Sequence, residues 1–259
     1  MIAAYTHEAG VRQLEREVGR LSRKVARKVA AGAKDKLVVA EGDVRELLGR
    51  PTVRPERAAL TDVVGVATGM YYSPSGGDIM FVEASLMPGK GELVLTGHLG
   101  DVMKESARAA LTYAKTRAAA MGVPDEALKD REVHIHVPAG AVPKDGPSAG
   151  VTMATALVSA LTARPARHDL AMTGEITLGG RVLPIGGLKE KVLGAHRAGI
   201  TEIILPKENE PELEDLPEEV RKALTFHPVE MLDEVLQLAL MSREAKVVDE
   251  LLGATAKPR

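Results

Sequence analysis

Apolar residues recur every three or four positions at Val11, Leu14, Val18, Leu21, Val25 and Val29, the stripe of an amphipathic helix. Thr6 is placed to cap its start and Gly32 to end it. A shorter helix is expected over Glu41 to Leu48, closed by Gly49. Two helices of this size bury little against each other, so they read as part of something larger. The pattern breaks at Pro51-Thr52-Val53-Arg54-Pro55 and turns mixed from about Leu60. Val63 to Tyr72, Asp78 to Leu86 and Glu92 to Thr96 predict strands, with a turn at Ser75-Gly76-Gly77 between the first two. Asp101 to Met121 predicts a long helix stopped by Gly122 and Pro124. Glu132 to Val137 alternates like a strand, and Val151 to Leu161 reads as a helix. Leu170 to Thr173, Ile203 to Leu205 and Thr225 to His227 predict short strands, Leu178-Gly179-Gly180-Arg181 a hairpin turn, and Val229 to Leu240 a last helix. The fold class is α/β, a mixed sheet of α+β type, preceded by a small all-α segment. The divisions are a helical segment over residues 1–50, a linker over 51–57, the α/β domain over 58–242 and a tail over 243–259.

Composition narrows the classes. With 259 residues and 45% hydrophobic content, the chain can hold one substantial core plus a smaller unit. It has no cysteine, which removes disulfides, a thiol nucleophile and a thiolate zinc site. No apolar run has membrane-helix length, and the start is not signal-like, so no membrane partner and a cytoplasmic location are expected. Aromatics at 2% argue against base stacking as the main activity. Residues 1–50 carry 11 basic and 7 acidic side chains, and the remainder 23 and 29, so a net of +4 is followed by −6. The basic segment allows a weak DNA contact, but a solvated helix face is the default.

Two segments carry chemistry. Ser148 lies in Lys144-Asp145-Gly146-Pro147-Ser148-Ala149-Gly150, directly before a helix. Gly146 permits unusual backbone, Pro147 stiffens the approach, and a helix N-terminus favours developing negative charge. In Gly187-Leu188-Lys189-Glu190-Lys191-Val192, helical spacing groups Lys191 with Leu188, Val192 and Ala195 on an apolar face. Lys189 lies off the centre of that face, and Glu190 points nearly opposite. A free lysine titrates near about 10.4, and burial is the means to bring it to the range of about 7–8 that suits a general base. Taken singly, Ser148 reads first as a helix cap and Lys191 as a snorkelling side chain.

Taken together the segments resemble a family. The run Asp145 to Met153, DGPSAGVTM, resembles the active-site signature of Lon proteases, ATP-dependent serine endopeptidases, in the wording of the A-type branch. Leu183 to Gly199, LPIGGLKEKVLGAHRAG, resembles the segment carrying that family's lysine. Met87 to Gly91, Gly97 to Ser106 and Thr173 to Leu178 add matches in the same order, and the likeness runs to about Leu240. The resemblance implies that Ser148 is the nucleophile and Lys191 its general base, a Ser–Lys dyad. Thr173 then lies beside the lysine amine, and Glu83 matches an acidic position near the site. Tyr5 to Arg16 resembles the α-helical lid of the family's ATPase module, with Arg12 at its nucleotide-sensing arginine. No G-x-x-x-x-G-K-S/T phosphate loop occurs, so the chain is expected to be the C-terminal part of a larger protease. The implied substrate is unfolded or damaged protein, bound as an added strand beside Met70-Tyr71-Tyr72. The implied assembly is a homo-hexameric ring serving protein quality control. No cofactor is implied for peptide hydrolysis, and ATP with magnesium only for the full-length protein.

Rival chemistry is thinner. His134 and His136, two apart on a strand, face the same way, which suits a metal or a histidine base. No further ligand cluster accompanies them, so structural histidines and no metal are expected. Asp145 shapes or caps its loop, with Gly146 and Pro147 supporting. Two other classes stay open: a stand-alone Ser–Lys amidase for small substrates, and a catalytically idle assembly or nucleic-acid-binding module. Labelling of Ser148 by a serine-directed probe separates the last from the enzymes.

Overall fold

The computed structural model describes all residues except 33–36, 54–55, 125–129, 139–143 and 243–259. The expected tail therefore lies outside the described residues. Two compact units are present: Met1–Glu56 with Tyr72–Gly76, and Arg57–Tyr71 with the described chain from Gly77 on.

The first unit is helical, with α1 (Ile2–Tyr5), α2 (Arg12–Ala30) and α3 (Glu41–Leu48). Thr6 does not cap α2. Its hydroxyl donates back to Ile2 O, and the Glu8 carboxylate instead accepts the N–H groups of Gln13 and Leu14. Those first-turn donors, with Arg16 nearby, outweigh desolvation and lower the Glu8 pKa. Gly49 closes α3 at φ 89° as expected. The apolar stripe of α2 buries none of its residues.

The second unit is built on a seven-stranded sheet. Its strands are β1 (Val63–Val64), β2 (Val66–Ser73), β3 (Gly76–Pro88), β4 (Leu93–Thr96), β5 (Arg131–His136), β6 (Pro165–Ala166), β7 (Leu170–Met172), β8 (Glu175–Ile176), β9 (Val182–Leu183), β10 (Glu202–Pro206) and β11 (Thr225–Val229). The large sheet has the order β11-β10-β7-β2-β3-β5-β4, while β1 with β6 and β8 with β9 form small pairs. β11, β10, β7 and β2 run parallel; β5 is antiparallel to β3 and parallel to β4. The helices are α4 (Asp101–Arg117), α5 (Gly150–Thr162), α6 (Leu188–Ala198), α7 (Glu218–Ala223) and α8 (Leu232–Ala239).

Alternation along the strands sorts the core into two layers. Leu170, Met172 and Ile204 point into a cluster with residues of α4, α5 and α8. Ala171, Ile203 and Leu205 point to the other face, into a cluster with Leu188, Val192 and Ala195 of α6. A sheet covered on both faces explains why these strands read as nearly continuous apolar runs.

Several boundaries differ from expectation. The run over 63–72 is interrupted at Gly65, where φ is 79° and Gly65 O accepts from Ala84 N. The turn falls at Pro74-Ser75, leaving Gly76 and Gly77 in β3. The long helix ends at Arg117 and continues only as a 3₁₀ turn over Ala119–Met121. Val229 ends β11, so the last helix begins at Leu232. A 3₁₀ stretch over Lys207–Asp215 was not expected at all.

Candidate active site

The site forms where β7 ends. Ser148 sits in a 3₁₀ turn over Pro147–Ala149, and α5 begins only at Gly150. The serine is thus held in a turn of its own, directly before the helix as expected. Its carbonyl accepts the N–H of Gly174 at 2.9 Å and the Thr173 hydroxyl at 3.3 Å. Val151 N–H donates to Gly174 O at 3.1 Å. These bonds fasten the serine turn and the helix behind it to the chain leaving β7.

Asp145 fixes the approach. Its Oδ1 accepts Gly146 N–H at 2.9 Å and Met103 N–H at 3.0 Å, so one carboxylate turns the serine loop and caps the first turn of α4. Both roles require Gly100, where an added Cβ would lie 2.3 Å from the carboxyl carbon of Asp145. Gly100 N–H in turn donates to Lys144 O at 2.7 Å. Gly146 has φ 128°. Its N–H is engaged by Asp145, and Pro147 has none.

Lys191 arrives from the opposite face of the sheet. Burial is favoured because Leu188, Val192 and Ala195, its companions on α6, are fully buried, while Lys189 and Glu190 are exposed. Lys191 itself is 2% exposed. Its Nζ donates to Thr173 Oγ1 at 3.2 Å. Thr173 therefore touches both partners, the amine through its hydroxyl and the serine through the same oxygen. Desolvation pulls the Lys191 pKa down to about 8 against the opposing charge of Glu212. The helix can approach so closely because two glycines meet: a Cβ on Gly194 would lie 2.3 Å from Gly77 C, and one on Gly77 would strike Glu190 O.

The remaining candidates sit on β2, β3, β5 and α2. His134 Nε2 and His136 Nδ1 both bond Thr96 Oγ1, at 2.8 and 2.6 Å. Glu83 is exposed on β3, in register with His136. Met70 is buried in the α6 layer, Tyr71 packs against the other layer, and Tyr72 is half exposed. Arg12 opens α2 and is exposed. No group of three His, Cys, Asp or Glu among the described residues is arranged for a metal ion. Sequence reasoning passed over Asn209, a buried polar residue in the 207–215 stretch. Its one signal was an amide in a run otherwise made of a lysine, five acids, a proline and a leucine. Lys144 ahead of the serine loop is also buried, and desolvation lowers its pKa.

Comparison with known proteins shows the family. A model of the Lon protease (S16) C-terminal proteolytic domain matches residues 38–242, and one of the Lon protease AAA+ ATPase lid domain matches residues 1–38. The chain belongs to the Lon protease family. It is 66% identical over 248 residues to Lon protease 1 of Sorangium cellulosum, covering 95% of this chain and 31% of that protein. It is 64% identical over 241 residues to Lon protease 2 of Thermus thermophilus, with 93% and 30% covered, and 57% identical over 240 residues to Lon protease of Brevibacillus choshinensis, with 93% and 31% covered. The chain thus spans about a third of the length of these Lon proteases. No helix among its described residues is long and apolar enough to cross a membrane.

Proposed function

We propose that this Lon proteolytic domain hydrolyses internal peptide bonds with Ser148 as nucleophile and Lys191 as general base. The observation that carries the reading is the buried Lys191 amine, bonded to the threonine that also holds the Ser148 carbonyl. A pKa near 8 leaves a usable neutral fraction at physiological pH. The amine takes the hydroxyl proton as Ser148 Oγ bonds to the peptide carbonyl carbon. The protonated lysine then returns a proton to the leaving amine as the C–N bond breaks, leaving an acyl-enzyme. Water, deprotonated by the same amine, releases the acid. The N–H of Ser148 serves the oxyanion, and Asp145, Gly146 and Pro147 hold that N–H in place.

Unfolded or damaged polypeptide is the proposed substrate, laid as an extended strand along the Met70–Tyr72 stretch of β2, where main-chain bonding tolerates varied sequences. Glu83, exposed on β3, serves as a peripheral acidic contact. In the full-length protein an ATPase module using ATP and magnesium, with Arg12 sensing nucleotide, would feed a cytoplasmic hexameric ring for protein quality control. Peptide hydrolysis itself needs no cofactor, and any DNA contact belongs to the basic face of α2.

The test compares Ser148→Ala, Lys191→Gln and the double variant His134→Ala/His136→Ala. The first two should lose peptide hydrolysis by at least about a thousandfold while remaining folded. The histidine variant should still be acylated by a fluorophosphonate. Loss of acylation in a well-folded histidine variant would transfer the base role from Lys191 to a histidine.

A further inference from the structure

The loop ahead of α6 is held by a residue that the dyad does not use. Asn209, 2% exposed, accepts Ile185 N–H on Oδ1 at 2.9 Å and donates from Nδ2 to Ile185 O at 2.8 Å. An asparagine that answers both main-chain groups of one residue fixes its position and its rotation together. Ile185 is followed by Gly186 and Gly187, two residues with little conformational preference of their own, and Gly187 at φ 70° starts α6. Lys191 N–H bonds Gly187 O at 3.2 Å, so the lysine's turn is built directly on this loop. Asn209 Nδ2 also bonds Glu212 Oε1 at 2.5 Å.

We propose that Asn209 is a positioning residue for Lys191, clamping the Pro184–Gly187 loop that starts its helix and holding Glu212 as the counter-charge of its ammonium. The inference rests on the Ser–Lys reading above and deepens it.

Two separable effects follow. The clamp sets where the amine stands, which governs the rate when all of the lysine is neutral. The carboxylate sets how readily the amine loses its proton. The charged and titratable groups on α6 besides Lys191 are Lys189, Glu190, His196 and Arg197; those on the elements beside it are Asp78 on β3, Lys207, Glu208, Glu210, Glu212, Glu214 and Asp215 on the 207–215 stretch, and Glu218, Glu219, Arg221 and Lys222 on α7. Lys207 is engaged by Glu210, and Arg197 donates to Gly77 O. Glu212 is the carboxylate whose charge acts on Lys191 against burial.

The experiment measures the rate of Ser148 modification by a fluorophosphonate against pH, in the whole chain. Glu212→Gln, at an exposed position, should move the rising limb to lower pH and leave the high-pH plateau unchanged. Asn209→Ala should lower the plateau roughly tenfold or more, as misplacement of a reacting group does, and move the limb the same way. Glu214→Gln, exposed on the same stretch, should change neither. If Asn209→Ala does not fold, Asn209→Asp, which keeps the acceptor and loses the donor, must show the plateau loss. A folded Asn209 variant with the parent plateau, or Glu212→Gln with the parent limb, overturns the proposal. Those results with Lys191→Gln unlabelled would leave the dyad standing. Labelling that persists in Lys191→Gln defeats the dyad itself and the proposal with it.

Discussion

A lysine kept out of water is costly until it loses its proton, and Lys191 shows the size of that cost. Holding its pKa near 8 instead of 10.5 disfavours the charged form by about 3 kcal/mol at neutral pH. Between pH 8 and 10.5 the unfolded chain retains a proton that the folded chain has shed, so stability rises with pH across that window. Below pH 8 both states bind the proton and the full penalty is present. Above 10.5 neither does, and the penalty is gone. Lys191→Met should therefore abolish hydrolysis yet raise the melting temperature by several degrees at pH 7, with the gain shrinking as pH climbs from 8 to 10.5. Thermal unfolding at pH 7 and near pH 10.5 checks this. A gain independent of pH would mean that packing, not charge, explains it. The companions of Lys191 on its apolar face were legible from spacing alone, because 3.6-residue periodicity fixes which side chains share a face. Asn209 was not, since its value lies in bonding Ile185 from 24 residues away.

At the scale of elements, the site depends on α6 lying close against the start of β3. Gly77 and Gly194 make that approach, with no room for a methyl group on either. Gly194→Ala is expected to destabilise the fold by about 1–3 kcal/mol through overpacking. It should also lower peptide hydrolysis more than its stability loss explains, because the displaced helix carries the amine away from Thr173. Denaturant unfolding alongside activity at a temperature where the variant is folded separates the two, and undiminished activity would refute the coupling. Strands and long helices were readable because each carries its own period or run. The errors arose where a tertiary bond decided the boundary. Thr6 lost the α2 cap to Glu8, whose carboxylate reaches two donors at once. Val229 joined β11 because it pairs with Pro206, and a residue that could extend a helix took the open ladder instead. The 3₁₀ turn at Ser148 likewise answers to Gly174 and Thr173, neither of which is near it in sequence.

For the whole molecule, chemistry and unfolding should come apart. The chain holds the proposed nucleophile and base but no phosphate loop among its 259 residues. Short peptides and already unfolded proteins need no mechanical work and should be cut slowly without nucleotide. A stable folded protein exposes few extended segments, since opening its core costs up to its global stability, about 5–15 kcal/mol. It should survive, and ATP should change nothing although Arg12 is present. The measurement is cleavage of a stable folded protein and of its destabilised variant, with and without ATP. The destabilised variant should be degraded in proportion to its open population, which grows tenfold for each 1.4 kcal/mol of stability removed. If ATP accelerated digestion of the stable protein, this chain would have to contain a nucleotide-driven motor that its sequence does not encode.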